Sequence, residues 1–578
     1  MDGITPQRGR DGSAGAVVNA PRRAQPSSRA IQAWLPLAGV AAGILLIIGP
    51  FLSGLVRSVL VWHAAGPTLS GTNFIALFSD SRFYTAVENT VICGIGATAF
   101  SMVLGTSLAW IVGRTDVPGR GWFETLNLIP FFMSPYVGAI GWIFLVAPYS
   151  GLMQTALKDT FGVSANWLNI YSLGGVVWVL SLFYTPYVYL LVISPLRQMD
   201  GALEDAARVH GASLWTTIRR VTLPLLQPAM LSAALIVFIT STGLFDVPLA
   251  LTATKGIRTV PTEIYSLVSY PSDLGRASAY GIVIVIVTVG LTLLQRNYLG
   301  RRRYEIVTGK GYRARRMQLS SLGRIVALAL ECVYLVMSVV LPVIALIAVA
   351  ISPLWTGRFH AASATMANFK YVLFDYALTR HAVLNSIFLA VVGATIGVVL
   401  STLQSYFLER SRSKWRGLVD AMLSLPLGIP GIVLSLFFLI LAIRTPLYGT
   451  LTILLIAYIA RFLPFSTRTI GAMMAGLHPE LEESARTSGA DWLQTMRFIL
   501  LPLLRPALFA AWIMLAIIFI RELGASILLY VSGTETISVA MVLLSENSAG
   551  YVASLAIVQL VLLLTGFALL RTTRTELA

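Results

Sequence analysis

Apolar residues fill this 578-residue chain in long runs that short polar stretches separate. Many of the runs exceed the roughly 18 to 20 residues that a helix needs to cross a bilayer. The pattern predicts an all-α integral membrane protein with about twelve transmembrane helices. The predicted segments lie near residues 34–60, 84–113, 122–147, 171–197, 225–250, 277–296, 324–351, 383–408, 418–443, 451–474, 503–530 and 550–570.

Composition supports a membrane protein over a soluble one. Hydrophobic residues make up 56% of the chain, charged residues only 12%, and the mean hydropathy is +0.77, which lies outside the range of soluble domains. The formal charge of +16 would suggest nucleic acid in a soluble protein, but basic residues collect on the cytoplasmic side of membrane proteins. We therefore expect a lipid bilayer and no nucleic acid as partner. Cys93 and Cys332 lie in apolar runs and are predicted to be small core residues.

Basic residues also predict the orientation. Residues 1–30 are rich in Gly, Pro, Ser, Ala and Arg without periodicity, which indicates a disordered tail. This tail and the linker at 298–323 are strongly basic, so both are placed in the cytoplasm. The prediction is a multi-pass protein of the bacterial cytoplasmic (inner) membrane with both termini in the cytoplasm. The segments near 61–82, 148–170, 251–276, 352–382 and 531–549 then lie outside.

The chain contains an internal repeat. The insert "EDAARVHGASLWTTIRRVTLP" (Glu204 to Pro224) returns as "EESARTSGADWLQTMRFILLP" (Glu482 to Pro502), and residues 203–229 and 481–507 share 14 of 27 identities. Six apolar segments in each half make this a parallel repeat about an axis along the membrane normal. After the tail, residues 31–83 are predicted to form the first helix with its external segment, and residues 84–297 the first transmembrane unit. Residues 298–323 form the linker, residues 324–382 the seventh helix with its external segment, and residues 383–571 the second transmembrane unit.

Each insert has the punctuation of two short helices joined by a tight turn. The acids Glu204, Asp205, Glu482 and Glu483 stand early in the first helix, where its dipole favours them, and Gly211 and Gly489 suit the left-handed turn that follows. Ser213 and Asp491 suit the start of the next short helix, and Pro224 and Pro502 suit the start of the next span. A single copy could be an interfacial loop anchored by Arg219 or Arg497. Two copies favour a repeated docking surface on the cytoplasmic side.

The repeated pattern resembles the "EAA" loop of type I ABC importer permeases, and the resemblance covers nearly the whole chain as two fused units. The matching residues are Asp205, Ala206, Ala207, Gly211, Val221, Leu223 and Pro224 in the first half and Glu483, Ala485, Gly489, Ile499, Leu501 and Pro502 in the second. Asp205 replaces the motif's glutamate, and Ser484 replaces one of its alanines.

This resemblance implies a type I ABC importer permease fold with coupling helices that dock into a cytoplasmic ABC ATPase dimer. The implied coupling residues are Glu204, Asp205, Ala207, Gly211, Glu482, Glu483, Ala485 and Gly489. A periplasmic or extracellular solute-binding protein would deliver the solute. The chain itself would be no enzyme and would carry no cofactor, because its partner would hydrolyse ATP.

Three stretches most resemble the fused permeases of ferric-iron importers. They are "NIYSLGG" (Asn169 to Gly175), "GKGYR" (Gly309 to Arg313) and "RELGASILLYVSGTETISV" (Arg521 to Val539). Related fused permeases carry phosphonates, thiamine, polyamines or sugar phosphates, so these solutes remain alternatives to iron.

Polar residues at membrane depth are functional candidates by default, and here they are Asp246, Arg461, Arg521 and Glu522. Snorkelling to an interface, or locking helices together, is the alternative role. Arg521 and Glu522 point about 100° apart on a helix, so each requires a partner elsewhere. Asn89 and Asn385 occupy similar places early in the second helix of each half and are predicted to make interhelical hydrogen bonds.

Prolines recur in the third apolar segment of each half. Pro130, Pro135, Pro426 and Pro430 are predicted to bend these helices, which would suit a gate.

Two other classes compete with the permease. A secondary transporter would need an ion-coupling acid in its core and would not need a docking loop repeated in both halves. A membrane enzyme would need a reactive cluster, and no GxxxxGK[ST] loop or zinc-type His/Cys grouping is present in the sequence.

Overall fold

The computed structural model describes residues 26–63, 66–162, 169–199, 202–269, 271–301 and 317–575. Within these ranges ten helices are long and apolar enough to cross a membrane, and the number is twelve if each of two bent helix pairs counts as one span. The predicted all-α fold class is therefore confirmed. The first helix begins at Pro26, inside the segment predicted as tail, and residues 1–25 lie outside the described ranges.

The α-helices of the first half span Pro26–Val59, Thr72–Ser79, Ser81–Arg114, Arg120–Leu126, Ile129–Phe132, Pro135–Val146, Leu152–Phe161, Leu173–Gln198, Ala202–Val209, Leu214–Thr217, Leu223–Thr242, Asp246–Thr252, Val260–Val268 and Leu274–Arg301. Those of the second half span Ser321–Leu335, Leu341–Ala350, Ala367–Lys370, Ala377–Arg410, Arg416–Ser424, Gly431–Ala442, Leu451–Ala475, Glu480–Thr487, Trp492–Thr495, Leu501–Arg521, Ile537–Leu544 and Ala549–Thr575. A short hairpin that the sequence pattern did not predict pairs Leu60–His63 antiparallel with Gly66–Leu69.

The first helix of the chain packs against the second half. Glycines make this close approach possible, because a Cβ at Gly54 would lie 2.1 Å from the ring of Phe437 and one at Gly39 would lie 2.6 Å from Leu403. The hydroxyl of Ser53 donates a hydrogen bond of 2.8 Å to the carbonyl of Phe437. Small residues and polar side chains of this kind hold membrane helices together where lipid removes the hydrophobic drive.

The seventh span, in turn, packs against the first half. The hydroxyl of Tyr334 donates to the carbonyl of Leu182 at 3.1 Å, and a Cβ at Gly141 would lie 2.7 Å from Pro342. One hydrophobic core consequently runs through both halves, from Phe183 in the first to Phe519 in the second.

The third span of each half is broken rather than merely bent. Arg120–Phe132 meets Pro135–Val146 at 93°, and Arg416–Gly428 meets Gly431–Ala442 at 104°. Ser134 and Ile429 are extended at the breaks, as expected for residues that precede a proline. The predicted proline bends are therefore confirmed.

The fifth span of each half ends earlier than predicted. The helices end at Thr242 and Arg521, not near residues 250 and 530. The chain then turns back into the protein, where Leu251 and Leu529 are fully buried. These residues are apolar because they fill the interior between helices, and a hydropathy pattern does not distinguish that role from a longer span.

The two cysteines differ. Cys93 is buried in the core as predicted, but Cys332 is exposed on the surface of the seventh span. The prediction for Cys332 is therefore wrong. The sequence of an apolar run does not show which of its residues face lipid and which face the protein core.

Candidate functional sites

The repeated inserts begin as the sequence predicts. The first insert helix (Ala202–Val209) and the second insert helix (Glu480–Thr487) carry their acids in the first turn. Gly211 and Gly489 follow with φ of +82° and +88°, the left-handed region that favours glycine. No heavy atom lies within 4 Å of a Cβ built on either glycine, so the requirement comes from the backbone and not from crowding.

Each insert contains a further short helix, Leu214–Thr217 or Trp492–Thr495, which also starts at the predicted cap. The carboxylate of Asp491 accepts a hydrogen bond of 2.7 Å from the backbone N–H of Gln494, and the side-chain oxygen of Gln494 accepts one of 2.9 Å from the N–H of Asp491. In the first half, Ser213 accepts from the N–H of Thr216 at 3.3 Å. Both predicted caps are therefore formed.

This further short helix does not lie separately on the surface, which differs from the prediction. It continues through a π-helical turn, Ile218–Thr222 or Met496–Leu500, into the fifth span. Pro224 and Pro502 lie just after these turns and lack the N–H of a regular α-helix, so a wider turn is accommodated at that point. Each insert is thus one short helix tethered by a glycine turn to the start of a span.

The first acid of the first insert points into the protein. Glu204 pairs with Arg114 at 2.7 Å, and the two side chains are only 8% and 2% exposed. The hydroxyl of Thr222 donates to the other carboxylate oxygen at 2.7 Å, and Arg114 also reaches the carbonyl of Met199 at 3.2 Å. Arg114 is the last residue of the second span, so this pair ties the first insert helix to that span.

The second insert repeats this arrangement with different neighbours. Glu482 accepts a bond of 2.6 Å from Nε of Arg410 and one of 3.1 Å from the hydroxyl of Tyr406. Arg410 ends the long helix Ala377–Arg410 and also donates to the carbonyl of Leu477 at 2.9 Å. Glu204 and Glu482, both predicted as coupling residues, therefore reach the ends of spans within this chain.

The other predicted coupling residues divide by exposure. Ala485 is buried against the protein and Ala207 is half-buried, whereas Glu483 and Gly489 are exposed and Asp205 is partly exposed. The surface that each insert offers to a partner therefore consists of its second acid, its glycine turn and the residues around them.

A cavity of about 160 Å³ lies between the two halves. Both broken third spans line it, through residues that include Pro130, Pro135 and Pro430. Four charged side chains also line it: Asp246 from the first half, and Arg461, Arg521 and Glu522 from the second. The structure thus brings all four predicted membrane-depth charges to one place.

Arg461 and Glu522 form an ion pair at this cavity. Glu522 Oε1 also accepts from the backbone N–H of Ala525 at 2.8 Å, and the Arg461 guanidinium lies 4.9 Å from the centre of the Phe462 ring. Gly431 leaves the space for Arg461, because a Cβ there would lie 1.7 Å from Nη1. This pair joins the helix Leu451–Ala475 to the end of the fifth span beside the cavity.

Arg521 reaches across to the first half. It donates to the backbone carbonyls of Phe131 and Met133, which lie at the break of the first half's third span. Carbonyls at a helix end lack partners within the helix, so a guanidinium can satisfy them. Arg521 and Glu522 take different partners as predicted, but the expected 100° separation on a helix is wrong, because the helix ends at Arg521 and Glu522 is extended.

Asp246 differs from the other three charges. It is 8% exposed, and in the described part of the chain no hydrogen bond or ion pair engages its carboxylate. It stands at the start of the short helix Asp246–Thr252, in the segment that folds back between the halves. Its carboxylate therefore faces the cavity without a protein partner in the described part of the chain.

Asn89 and Asn385 hydrogen-bond to extended segments on the side of the membrane away from the inserts. Asn89 donates to the carbonyl of Arg258 at 2.9 Å, and Asn385 donates to those of Gly533 and Glu535 at 3.1 and 3.0 Å. The partners are the residues just before a short helix and not another span, so the predicted interhelical bond becomes a bond from helix to loop.

Sequence reasoning missed two sets of residues. Arg114 and Arg410 hold the insert helices, and their signal was their shared place at the end of the second span in each half. Glu331 and Asn127 form a further buried polar contact of 2.9 Å between the halves. A lone acid in the seventh apolar run was the available signal for Glu331.

Comparison with known proteins assigns this architecture to a family. The family described as "Binding-protein-dependent transport system inner membrane component" matches twice, at residues 101–304 and 393–572. This chain belongs to that family. The two matches correspond to the two repeated units, so the chain is a fused, multi-pass inner-membrane transport component.

Several curated relatives resemble the chain over most of its length. The putative ferric transport system permease protein FbpB 1 of Haemophilus influenzae is 24% identical over 81% of this chain and 74% of its own length. The ferric transport system permease protein FbpB of Actinobacillus pleuropneumoniae is 24% identical over 85% of this chain and 71% of its own. The probable ABC transporter permease protein y4fN of Sinorhizobium fredii is 27% identical over 82% of this chain and 84% of its own length.

Proposed function

We propose that this protein is the permease of an ATP-driven importer that carries ferric iron across the inner membrane. An external binding protein delivers the iron, and a separate ATPase dimer on the cytoplasmic side supplies the energy. The insert side of the membrane is the cytoplasm in this proposal, since the basic linker and tail belong to the same side. The family, which is named for its dependence on binding proteins, supports the first partner.

The two insert helices support the second partner. Each is exposed on one face and tied to the end of a span by a buried ion pair, Arg114 with Glu204 or Arg410 with Glu482. A helix with this mounting transmits a push from a docked partner to the span it is tied to. Two such helices fit a partner with two equivalent clefts, which an ATPase dimer offers.

The cavity between the broken third spans is the proposed path. Its position on the interface between parallel repeats suits a route that opens by moving one half against the other. Arg521 bonds the second half to the break of the first, so this contact has to change when the halves separate. The structure therefore represents a closed state of the path in our proposal.

The observation that carries the iron assignment is the extent of similarity. The ferric permeases match more than four-fifths of the chain, including both repeated units. The trehalose/maltose permease MalF of Thermococcus litoralis matches only 43% of the chain, and the sn-glycerol-3-phosphate permease UgpA of Yersinia enterocolitica only 40%. The fused organisation thus accompanies the ferric relatives and not these sugar-type relatives.

The substrate is tested by uptake in cells. Deletion of the gene from a strain that lacks other iron systems should abolish uptake of radioactive ferric iron and slow growth when iron is limiting. Uptake should return with the intact gene. Normal iron uptake in the deletion strain would reject iron and direct the search to phosphonate, thiamine, polyamine and sugar phosphate.

Docking is tested by charge reversal on the exposed acids. Asp205→Lys with Glu483→Lys should leave insertion and abundance largely intact while weakening co-purification of the ATPase and abolishing transport in vesicles. Glu480→Lys is a matched control, because it changes an exposed acid in the first turn of the same helix but outside the repeated motif. Normal ATPase binding and transport in the double variant would show that the inserts are only interfacial loops.

Orientation is tested by labelling. Cysteines introduced at 301–316 should react with a membrane-impermeant thiol reagent only after the cells are opened, and those at 254–270 should react in intact cells. Labelling of the linker from outside would contradict the proposed topology.

A further inference from the structure

A groove of about 570 Å³ opens beside the first helix on the insert side of the membrane. Its wall is apolar and includes Leu37 and Val40 of the first helix, and Phe407, Trp415 and Val419 of the second half. Leu37 is 40% exposed and Trp415 58% exposed, so the groove is open at its edge. Leu37 lies in the first turn of the span Trp34–Val59, which places the groove where hydrocarbon meets lipid headgroups.

The polar end of this groove is positively charged. Arg410 at its wall is neutralised by Glu482, but Arg486 beside it has a side chain that is 60% exposed. Arg486 uses Nη2 toward the hydroxyl of Tyr406 at 3.3 Å and toward Glu482 at 3.8 Å. The rest of its guanidinium remains available at the mouth of the groove.

The loop that lines the groove through Ser411, Ser413 and Trp415 adds further positive charge beside it. It carries Arg412 and Lys414, both exposed, and Nζ of Lys414 lies 5.7 Å from the centre of the Trp415 ring. An aromatic side chain beside a cation is typical of the membrane interface, where the ring takes the headgroup level. A phosphate at this mouth would therefore meet basic side chains from both the loop and the second insert helix.

The equivalent place in the first half is closed by the chain itself. Arg114 corresponds to Arg410, and two residues later Asp116 stands where the second half has Arg412. Asp116 pairs with Arg324 and accepts from the N–H of Leu319 at 3.0 Å, and these two contacts hold its pKa below the usual range. There the segment before the seventh helix covers the site.

The same cover is unfavourable in the second half because of charge. The segment that precedes the first helix is basic, with four arginines against two aspartates in residues 1–25. The mouth of the groove is basic as well, since Arg412 replaces the acid that attracts Arg324 in the first half. An anionic occupant with an apolar tail satisfies both ends of this groove, and a basic peptide does not.

We propose that the groove binds one anionic phospholipid. Arg412, Lys414 and Arg486 contact its headgroup phosphate, and its acyl chain lies along Leu37 and Phe407. Basic pockets between spans recognise anionic headgroups in this way. The lipid would lie against the second insert helix and so join that helix to the bilayer. This site is separate from the solute path and does not depend on which solute is carried.

The test measures lipid contact at Trp415. The full-length protein is reconstituted in bilayers of phosphatidylcholine with one-fifth phosphatidylglycerol, with bromine on the chains of one lipid or the other. The fluorescence of Trp415 is obtained as the difference between the emission of the unmodified protein and that of the Trp415→Phe variant. Brominated phosphatidylglycerol should quench it more strongly than its share of the bilayer predicts. Each substitution Arg412→Gln, Lys414→Gln or Arg486→Gln should lower this preference by about fivefold, the effect of one basic residue near an anionic surface.

The matched control is Lys158→Gln with Lys370→Gln and Arg380→Gln, which removes three exposed charges away from the groove and should leave the preference unchanged. Equal quenching by both lipids would overturn the proposal, and so would an unchanged preference in the variant that combines Arg412→Gln, Lys414→Gln and Arg486→Gln. So would complete loss of the preference on addition of inorganic phosphate, which would indicate a site for the free ion. A several-fold rise in quenching on removal of residues 2–24 would identify the tail as occupant and would also overturn it.

Discussion

Arg410 Nε lies 2.6 Å from Glu482 Oε1, and Arg114 Nη2 lies 2.7 Å from Glu204 Oε2 at the corresponding place in the other half. The arginines are 296 positions apart and the glutamates 278, so the two halves keep the contact although their lengths between these points differ. In both, the acid is the residue just before the motif acid. The repeat therefore preserves a mounting for the insert helix as well as an exposed surface.

Removal of one member of the second pair should release the second insert helix. Arg410→Met leaves Glu482 buried, with a side chain 5% exposed, and without its main counter-charge. An unpaired buried charge of this kind costs about 3–5 kcal/mol. We expect faster proteolysis within residues 480–489 and weaker retention of the ATPase. Limited proteolysis of the purified permease followed by mass spectrometry measures the first effect.

The paired variant separates charge from packing. Arg410→Met combined with Glu482→Met removes both charges, so it should be less sensitive to proteolysis than either single variant. Arg416→Met serves as the control, because its bond of 3.2 Å to Glu409 is exposed and such pairs contribute about 0–1 kcal/mol. Equal sensitivity of Arg410→Met and Arg416→Met would contradict a mounting role.

The glycine turn should respond to a β-branched side chain. Gly489→Val places valine at φ +88°, where the left-handed conformation costs on the order of 1 kcal/mol or more. The second insert helix then changes direction while the spans keep their packing, because no atom lies within 4 Å of the new Cβ. We expect near-normal abundance with loss of transport in reconstituted vesicles, and the same direction of effect for Gly211→Val.

Gly417→Val is the matched control for that change. Gly417 is also exposed and has open space around its Cβ position, but its φ is not in the left-handed region. It should therefore transport normally. Transport by Gly489→Val at the level of Gly417→Val would show that the turn geometry is not needed.

The spans and the inserts could be predicted because their signals are local. Hydrophobic length places a helix in the membrane, and Gly489 with Asp491 fixes a turn and a cap within a few residues. The ends of the fifth spans were predicted poorly, since Leu251 and Leu529 are apolar through burial and not through helix continuation.

Partners across the two halves could not be predicted from one sequence. Arg521 was expected to need a partner, and that partner is a pair of backbone carbonyls nearly 400 positions away, on Phe131 and Met133. A carbonyl carries no residue identity, so its availability depends on the break at Pro135. The grouping of Asp246 with Arg461 likewise depends on how the halves pack.

Glu331 should tolerate an amide but not an apolar residue. It is fully buried and accepts from Nδ2 of Asn127 at 2.9 Å, while its Oε1 and the Oδ1 of Asn127 lack partners in the described structure. Glu331→Gln keeps an acceptor for Asn127 and adds a donor. Glu331→Leu leaves the Asn127 amide without its partner, which costs about 1–3 kcal/mol. Thermal unfolding in detergent should show a lower midpoint for leucine than for glutamine; the reverse order would contradict this contact.

Gly431 is the position where the smallest change should reach the cavity. In Gly431→Ala the new Cβ would lie 1.7 Å from Nη1 and 2.3 Å from Cζ of Arg461, so the guanidinium has to leave its place beside Glu522. Overpacking of this kind costs about 1–3 kcal/mol, and the displaced ion pair no longer joins Leu451–Ala475 to the end of the fifth span. We expect impaired transport together with a lower unfolding temperature.

Two control variants distinguish the effect of crowding at position 431 from the effect of losing the ion pair between Arg461 and Glu522. Gly524→Ala also adds a Cβ near Arg461, but at 3.6 Å, an ordinary contact, and should behave like the unmodified protein. Gly431→Ala with Arg461→Met and Glu522→Gln relieves the clash and leaves no buried charge unpaired, so it should recover the unfolding temperature. It should not recover transport, because the ion pair is still missing. Full transport in that triple variant would show that Arg461 and Glu522 only fill space, and that the charges at the cavity do not govern passage of the solute.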